Sequence, residues 1–238
     1  MIHTYVINVE GHNKRLADVR QSLSLKGIEV KRIKAVTPED MRRIGFKSDC
    51  DIYYPSMLPP ACLVSHLKTL MTFLSEHESG DHALILEDDV ALAPALTAER
   101  LRSLPLNAPK DFEILQLGTS HAKGSYSLLE HRKKSSLQWH NWHYALWGAF
   151  AYLVTEQGAE RIIERLFSSC ILDLSGFYCP ELCVADYLLY EICKTYTSTY
   201  PWFGHTGHDS TVRSISEPRE RQLMTKRDEF LRTCWHLD

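Results

Sequence analysis

Apolar and polar positions alternate along the chain in blocks that change period, and each block predicts an element. Residues 2–9, rich in Ile, Val and Tyr, predict a buried strand. Leu16, Val19 and Leu23 recur at helical spacing, and Gly27 is placed to end that helix. A second strand is predicted over about 28–36. Thr37-Pro38-Glu39-Asp40 then carries a cap residue, a first-turn proline and early acids, the signature of a helix start. Such a β-α-β opening points to a parallel sheet. Residues 45–60 read as loop. Leu63, Leu67, Leu70 and Leu74, flanked by Val64 and Met71, form the apolar stripe of a strong helix, with His66 and Phe73 at its edge. Gly80 breaks that helix, and Ala83-Leu84-Ile85-Leu86 is a short, fully apolar strand. Further strands are predicted at 112–117 and 149–154. Thr155 caps a helix reaching about Phe167, and 181–196 and 218–232 read as helices, with a strand at 198–203 between them. This alternation predicts an α/β sandwich. With no repeat, low-complexity tract or linker to divide it, the chain reads as one domain over 1–238.

The strand at 83–86 runs directly into Glu87-Asp88-Asp89. Carboxylates there stand at the carboxyl end of a strand, where open α/β sheets bind ligands. Each resists burial unless paired or bound to a cation. Their hard oxygens suit Mg²⁺ or Mn²⁺ bridging a diphosphate, and such a cation neutralises charge on a departing nucleoside diphosphate. Successive residues on an extended strand point oppositely, so Glu87 and Asp89 share one side and Asp88 faces the other. The competing reading is a strand end whose acids cap the next loop and face water.

Composition narrows the classes. The 238 residues are 44% hydrophobic and 24% charged, enough to bury a sizeable core. A formal net charge of −3 leaves no footprint for nucleic acid. The N-terminus lacks a signal-like basic head and apolar stretch, and no window approaches the roughly 18 apolar residues of a membrane span. The seven cysteines are scattered without a CxxC pair, which fits free thiols in a reducing compartment. The expected location is cytoplasmic, with peripheral contact to the inner face of the inner membrane through basic residues of the 218–232 helix (Arg219, Arg221, Lys226, Arg227, Arg232). Cys179, Cys183, His205 and His208 form a loose zinc-like spacing.

Several stretches, in order, resemble glycosyltransferase family 25, which includes bacterial lipooligosaccharide β-galactosyltransferases and, more distantly, collagen galactosyltransferases. They are Val6-Ile7-Asn8-Val9 with Arg15, Ile33-Lys34-Ala35-Val36, Ser65-His66-Leu67-Lys68, and Ala83 through Val90. Trp147 through Val154, Gly158-Ala159-Glu160-Arg161, and Val184-Ala185-Asp186-Tyr187-Leu188 extend the likeness to about residue 190. The resemblance implies a GT-A-like (Rossmann-like) fold with a mixed, mainly parallel sheet. A donor-binding part would span about 1–120 and an acceptor part about 121–238. It also implies a UDP-sugar donor, most simply UDP-galactose, inversion at the anomeric carbon, and an oligosaccharide or lipid-linked saccharide acceptor of the lipopolysaccharide type.

Candidate roles follow. Asp186 lies in the late motif as general base, although a first-turn Asp also suits a helix dipole. Asn8, Arg15, His66, Glu87 and Asp88 are donor-site candidates. Arg15 alternatively decorates an exposed helix face, and His66 alternatively is a histidine held in the core by a hydrogen bond. Asp89, Glu87 and His208 are the metal candidates, for Mn²⁺ or Mg²⁺. Trp142 and Trp147, with Trp139 and Tyr144 nearby, offer a stacking surface for acceptor sugar, or simply core packing. The same carboxylates would also serve a metal-dependent hydrolase, whereas a non-catalytic carbohydrate-binding protein would need the aromatics but not the acidic run.

Overall fold

A computed structural model describes residues 1–47, 57–135, 137–177 and 184–205, together with Leu231 and Trp235. In chain order the first half carries β1 (Ile2–Asn8), α1 (Asn13–Ser24), β2 (Lys31–Lys34), β3 (Gly45–Lys47), α2 (Leu58–Glu76), β4 (His82–Glu87), β5 (Val90–Leu92), α3 (Ala98–Ser103) and β6 (Ile114–Gln116). The second carries α4 (Ala122–Ser135), β7 (Trp139–Asn141), β8 (Ala151–Thr155), α5 (Glu156–Leu166), β9 (Phe167–Ser168), β10 (Ile171–Asp173), α6 (Ala185–Ile192), β11 (Thr195–Ser198) and β12 (Phe203–His205).

A seven-stranded sheet in the order β2-β1-β4-β8-β6-β11-β7 forms the centre. Strands β2, β1, β4, β6 and β11 run one way, while β8 and β7 run against their neighbours. The mixed, mainly parallel α/β sandwich is therefore observed, and its strands come from both sides of residue 120.

Alternating side chains divide between two cores. On β4, Ala83 and Ile85 join one cluster with Leu63, Leu67 and Leu70 of α2 and Ala159 and Ile162 of α5. Leu84 and Leu86 join the other, with Leu16, Val19 and Leu23 of α1 and Leu101 of α3. Both faces of β4 are thus covered, the physical reason its sequence is continuously apolar. Because α2 packs against the sheet and against α5 and α6, His66 and Phe73 are buried rather than at the stripe's edge.

Thr155 caps α5 as its position predicts, its hydroxyl accepting from Gly158 N–H at 3.0 Å. Thr155→Ala should cost about 1 kcal/mol, a fall of roughly 2–4 °C in Tm for a chain of this size, checked by calorimetry.

Four expectations change. Thr37–Asp40 opens a 3₁₀ turn over Asp40–Arg43 instead of an α-helix. Thr37 and Asp40 satisfy each other there, with Thr37 N–H and hydroxyl both donating to Asp40 Oδ2, and the chain is extended again by Ile44. The loop predicted over 45–60 contains β3 and the start of α2. The helix predicted to Tyr196 stops at Ile192, where Thr195 Oγ1 turns back to Tyr190 O at 3.0 Å and Thr195–Ser198 pair with β6 and β7. The strand predicted at 198–203 is accordingly a turn between β11 and β12. The predicted 218–232 helix, apart from Leu231, lies outside the described residues.

Candidate active site at the carboxyl edge of the sheet

Pairing of β1 with β4 places Ile7 opposite Glu87, so Asn8 and the acidic run leave the sheet side by side. Strand geometry ends at Glu87, and Asp88-Asp89 form a turn. The three acids therefore reach three different sets of partners instead of alternating across a pleat.

Asp88 turns to the first βα connection. Its Oδ2 accepts from Asn8 Nδ2 at 2.6 Å, and Asn8 Nδ2 also reaches His12 O at 3.1 Å. Arg15 Nη1 lies 3.4 Å from Asp88 Oδ1, with the two side chains only 17% and 9% exposed. Arg15 thus points into the site and does not decorate the outer face of α1.

Glu87 turns to α2, where Cys62 and His66 stand one helical turn apart. His66 is fully buried, with Nδ1 3.1 Å from the Tyr152 hydroxyl and Nε2 3.4 Å from Glu87 Oε1. Cys62 Sγ lies 4.0 Å from the same oxygen. Burial drives the His66 pKa down to about 4, so the ring is neutral. Burial, then the charges of Asp89 and Asp186, push Glu87 up to about 8. Three carboxyl groups crowded in one desolvated place resist ionising together, and a cation would reverse that preference.

Asp89 turns to β12. Antiparallel pairing of His205 with Val90 carries the imidazole to the acid, Nδ1 lying 3.6 Å from Asp89 Oδ2. Burial opposes ionisation of Asp89, but contact with His205 and the charge of Arg15 outweigh it and hold the carboxyl below its usual range. His205 is itself fixed: Nε2 meets Ser120 Oγ at 3.0 Å and the Phe150 ring packs 4.1 Å away between centroids. Ser120 fits there only because residue 148 is glycine at φ +127°, where a Cβ would come 2.5 Å from Ser120 Oγ.

Asp186 sits in the first turn of α6 and accepts the Ala149 N–H on Oδ1 at 2.9 Å. That bond ties it to the start of β8, the antiparallel strand whose beginning lies at the carboxyl ends of β4 and β6. Its charge reaches Glu87, Cys62 and His66. Both the dipole-suited position and proximity to the acidic run are therefore present.

The aromatic candidates separate. Trp139 packs on the α1 face of the sheet, and its Nε1 donates to Asn107 O at 2.9 Å. Trp142 packs on the α2 face, its Nε1 donating to Leu146 O at 3.0 Å and its ring 5.7 Å from Tyr190. Trp147 is half-buried, 5.9 Å from the His121 ring. Tyr144 is the exposed member, 5.2 Å from Trp142 and 6.2 Å from Tyr187, the residue after Asp186. His208, Cys179 and Cys183 lie outside the described residues.

Ser120, Tyr152 and Cys62 complete the arrangement without having been singled out for these contacts. Only Cys62-x-x-x-His66 left a sequence signal, since i and i+4 share a helix face.

The acidic run, His66 and the Asn8–Arg15 corner all lie in the stretch matched by a family model, that of glycosyltransferase family 25 (LPS biosynthesis protein), over residues 1–173. The chain belongs to glycosyltransferase family 25. It is accordingly a sugar-transferring enzyme of a family described by lipopolysaccharide biosynthesis, and a sugar donor and a saccharide acceptor are its substrates in kind. Asp186 and His205 lie beyond the matched residues, so their parts in this family 25 enzyme rest on geometry. No curated protein matches the chain. Among the described residues, no helix is long and apolar enough to cross a membrane.

Proposed function

We propose that this family 25 enzyme transfers a hexose, most simply galactose, from a UDP-sugar to a lipooligosaccharide-type acceptor with inversion and with help from Mn²⁺ or Mg²⁺. The observation that carries the metal reading is Asp89 Oδ1, a buried carboxylate oxygen without a hydrogen-bond partner among the described residues. It lies in a cluster of hard oxygen donors with an imidazole alongside, and a buried, unpaired carboxylate oxygen of this kind is one that a bound cation would satisfy. Asp89 would hold the ion, with Glu87 and His205 beside it. When bound, the cation supplies charge neutralisation for the diphosphate leaving group.

The chain's own residues do the rest. Arg15 and Asn8 orient Asp88, leaving that corner to grip the donor's ribose and phosphate. Neutral His66, anchored by Tyr152, fixes Glu87. Asp186, held by Ala149 N–H, accepts the proton of the acceptor hydroxyl as its oxygen bonds to the anomeric carbon and the bond from that carbon to the UDP oxygen breaks. Trp142 and Trp147 border the acceptor side, with Tyr144 exposed to solvent beside Trp142. Peripheral attachment at the inner face of the inner membrane suits such an acceptor.

A panel of UDP-sugars tested by thermal shift with and without Mn²⁺ checks this reading. UDP-galactose at 100 times its Kd should stabilise the protein by about 2.7 kcal/mol in the presence of metal. Equal stabilisation with and without Mn²⁺, or none by any UDP-sugar, would overturn the donor and metal assignments.

A further inference from the structure

At the opposite end of the same strands, three potential ligands converge away from the acidic run. His3 lies near the start of β1, Asp81 directly precedes β4, and His77 follows the last turn of α2. His82 N–H donates to Met1 O at 2.9 Å, which sets the two strand starts together. His3 Nε2 lies 2.8 Å from Asp81 Oδ2. The imidazoles of His3 and His77 stack at 3.4 Å between centroids and 18° between planes. His77 Nε2 lies 2.6 Å from the Tyr5 hydroxyl and 3.9 Å from Glu76 Oε2, while Asp81 Oδ1 takes the Met1 amine. The side chains of His3, His77 and Asp81 are 21%, 20% and 21% exposed, so the cluster is framed by protein yet reachable from water.

One ligand atom from each residue lies within 4.8 Å of the others. We propose that His3, His77 and Asp81 bind a borderline divalent transition-metal ion of the Zn²⁺ class, as a clamp joining the end of α2 to the starts of β1 and β4. Two imidazoles and one carboxylate, with water in the remaining position, are the donor set such ions take, whereas Mg²⁺ and Ca²⁺ prefer oxygen. Zn–N distances of about 2.0–2.1 Å in a tetrahedron put neighbouring ligand atoms roughly 3.3 Å apart. The widest separations must shorten by up to about 1.5 Å and the imidazole stack must open so that each ring's in-plane lone pair faces the ion, movements within reach of side-chain rotations in partly exposed residues. His3 is five residues from Asn8 along β1, about 17 Å at 3.3 Å per residue, so this site is separate from the sugar-transfer site and does not depend on that reading.

The full chain, stripped with a chelator and dialysed against Zn²⁺, is the material for the test, with Co²⁺ as spectroscopic probe. The parent and Asp89→Asn should both retain Zn²⁺ at this site, and both should show visible Co²⁺ d–d bands without the near-ultraviolet absorption of a Co–thiolate bond. Zn²⁺ at 100 times its Kd should raise their Tm by roughly 5–10 °C. His77→Gln and His3→Gln should lose the bands and the shift. If His77→Gln fails to fold, His3→Gln, altered near a strand start, gives the same reading. The proposal is overturned if either folded Gln variant binds Zn²⁺ as the parent does. Loss of Zn²⁺ in Asp89→Asn, or thiolate absorption in the Co²⁺ form, would overturn it equally.

Discussion

Asp186→Asn is expected to slow sugar transfer by about 10²–10⁴-fold, roughly 3–5 kcal/mol in the barrier, with donor affinity nearly unchanged. The substitution is nearly isosteric, and an Asn Oδ1 can still accept the Ala149 N–H, so α6 and β8 should keep their junction. What is lost is the capacity to accept a proton from the acceptor hydroxyl. Kinetics at saturating UDP-sugar separate the cases, because a group acting on the acceptor alters turnover without altering donor binding. A variant that keeps most of its turnover would make Asp186 a helix-terminal residue suited to the dipole of α6 and nothing more. One that fails because donor no longer binds would move Asp186 to the donor side.

Asp89→Asn is expected to abolish metal-dependent UDP binding while leaving the fold intact. Its carboxylate is buried beside Glu87, and the amide replaces a hard anionic ligand with a weak neutral one. The fold should survive because removing a charge from a crowded, desolvated group relieves repulsion on Glu87. Calorimetric titration of UDP with Mn²⁺ measures the effect directly, with circular dichroism for the fold. Unchanged UDP affinity in the variant would sink the metal assignment and leave Asp89 as a partner of His205 alone.

The two variants report on different halves of the reaction, and together they distinguish transfer from hydrolysis. In a transferase, loss of Asp186 leaves donor binding standing; in a hydrolase acting through the same carboxylates, UDP release would not depend on a saccharide acceptor.

How much of this was legible beforehand depended on whether the signal was local. The strand at 2–8, the helix marked by Leu16, Val19 and Leu23, the strand at 82–87 and the Thr155 cap each follow from a period or a hydrogen bond within a few residues. The acidic run was visible for the same reason, as charge set against four buried aliphatic residues. Helix α4 was missed because Ala122–Ser135 is polar and only weakly amphipathic, and its basic end reads as solvated surface. The split of 195–205 into β11, a turn and β12 depends on which strands were waiting to pair with each piece, and no pattern in Thr-Tyr-Thr-Ser or Phe-Gly-His contains that. The sequence alone determined the types of the strongly patterned elements, the two-faced burial of β4 and the position of its acids at a strand end. Tertiary structure decided that β8 would insert antiparallel between β4 and β6, bringing Ala149 to Asp186, and that β12 would pair with β5, bringing His205 to Asp89. Strand order is chosen by the summed burial of whole faces, a long-range quantity, so partners distant in the chain meet without leaving a local trace.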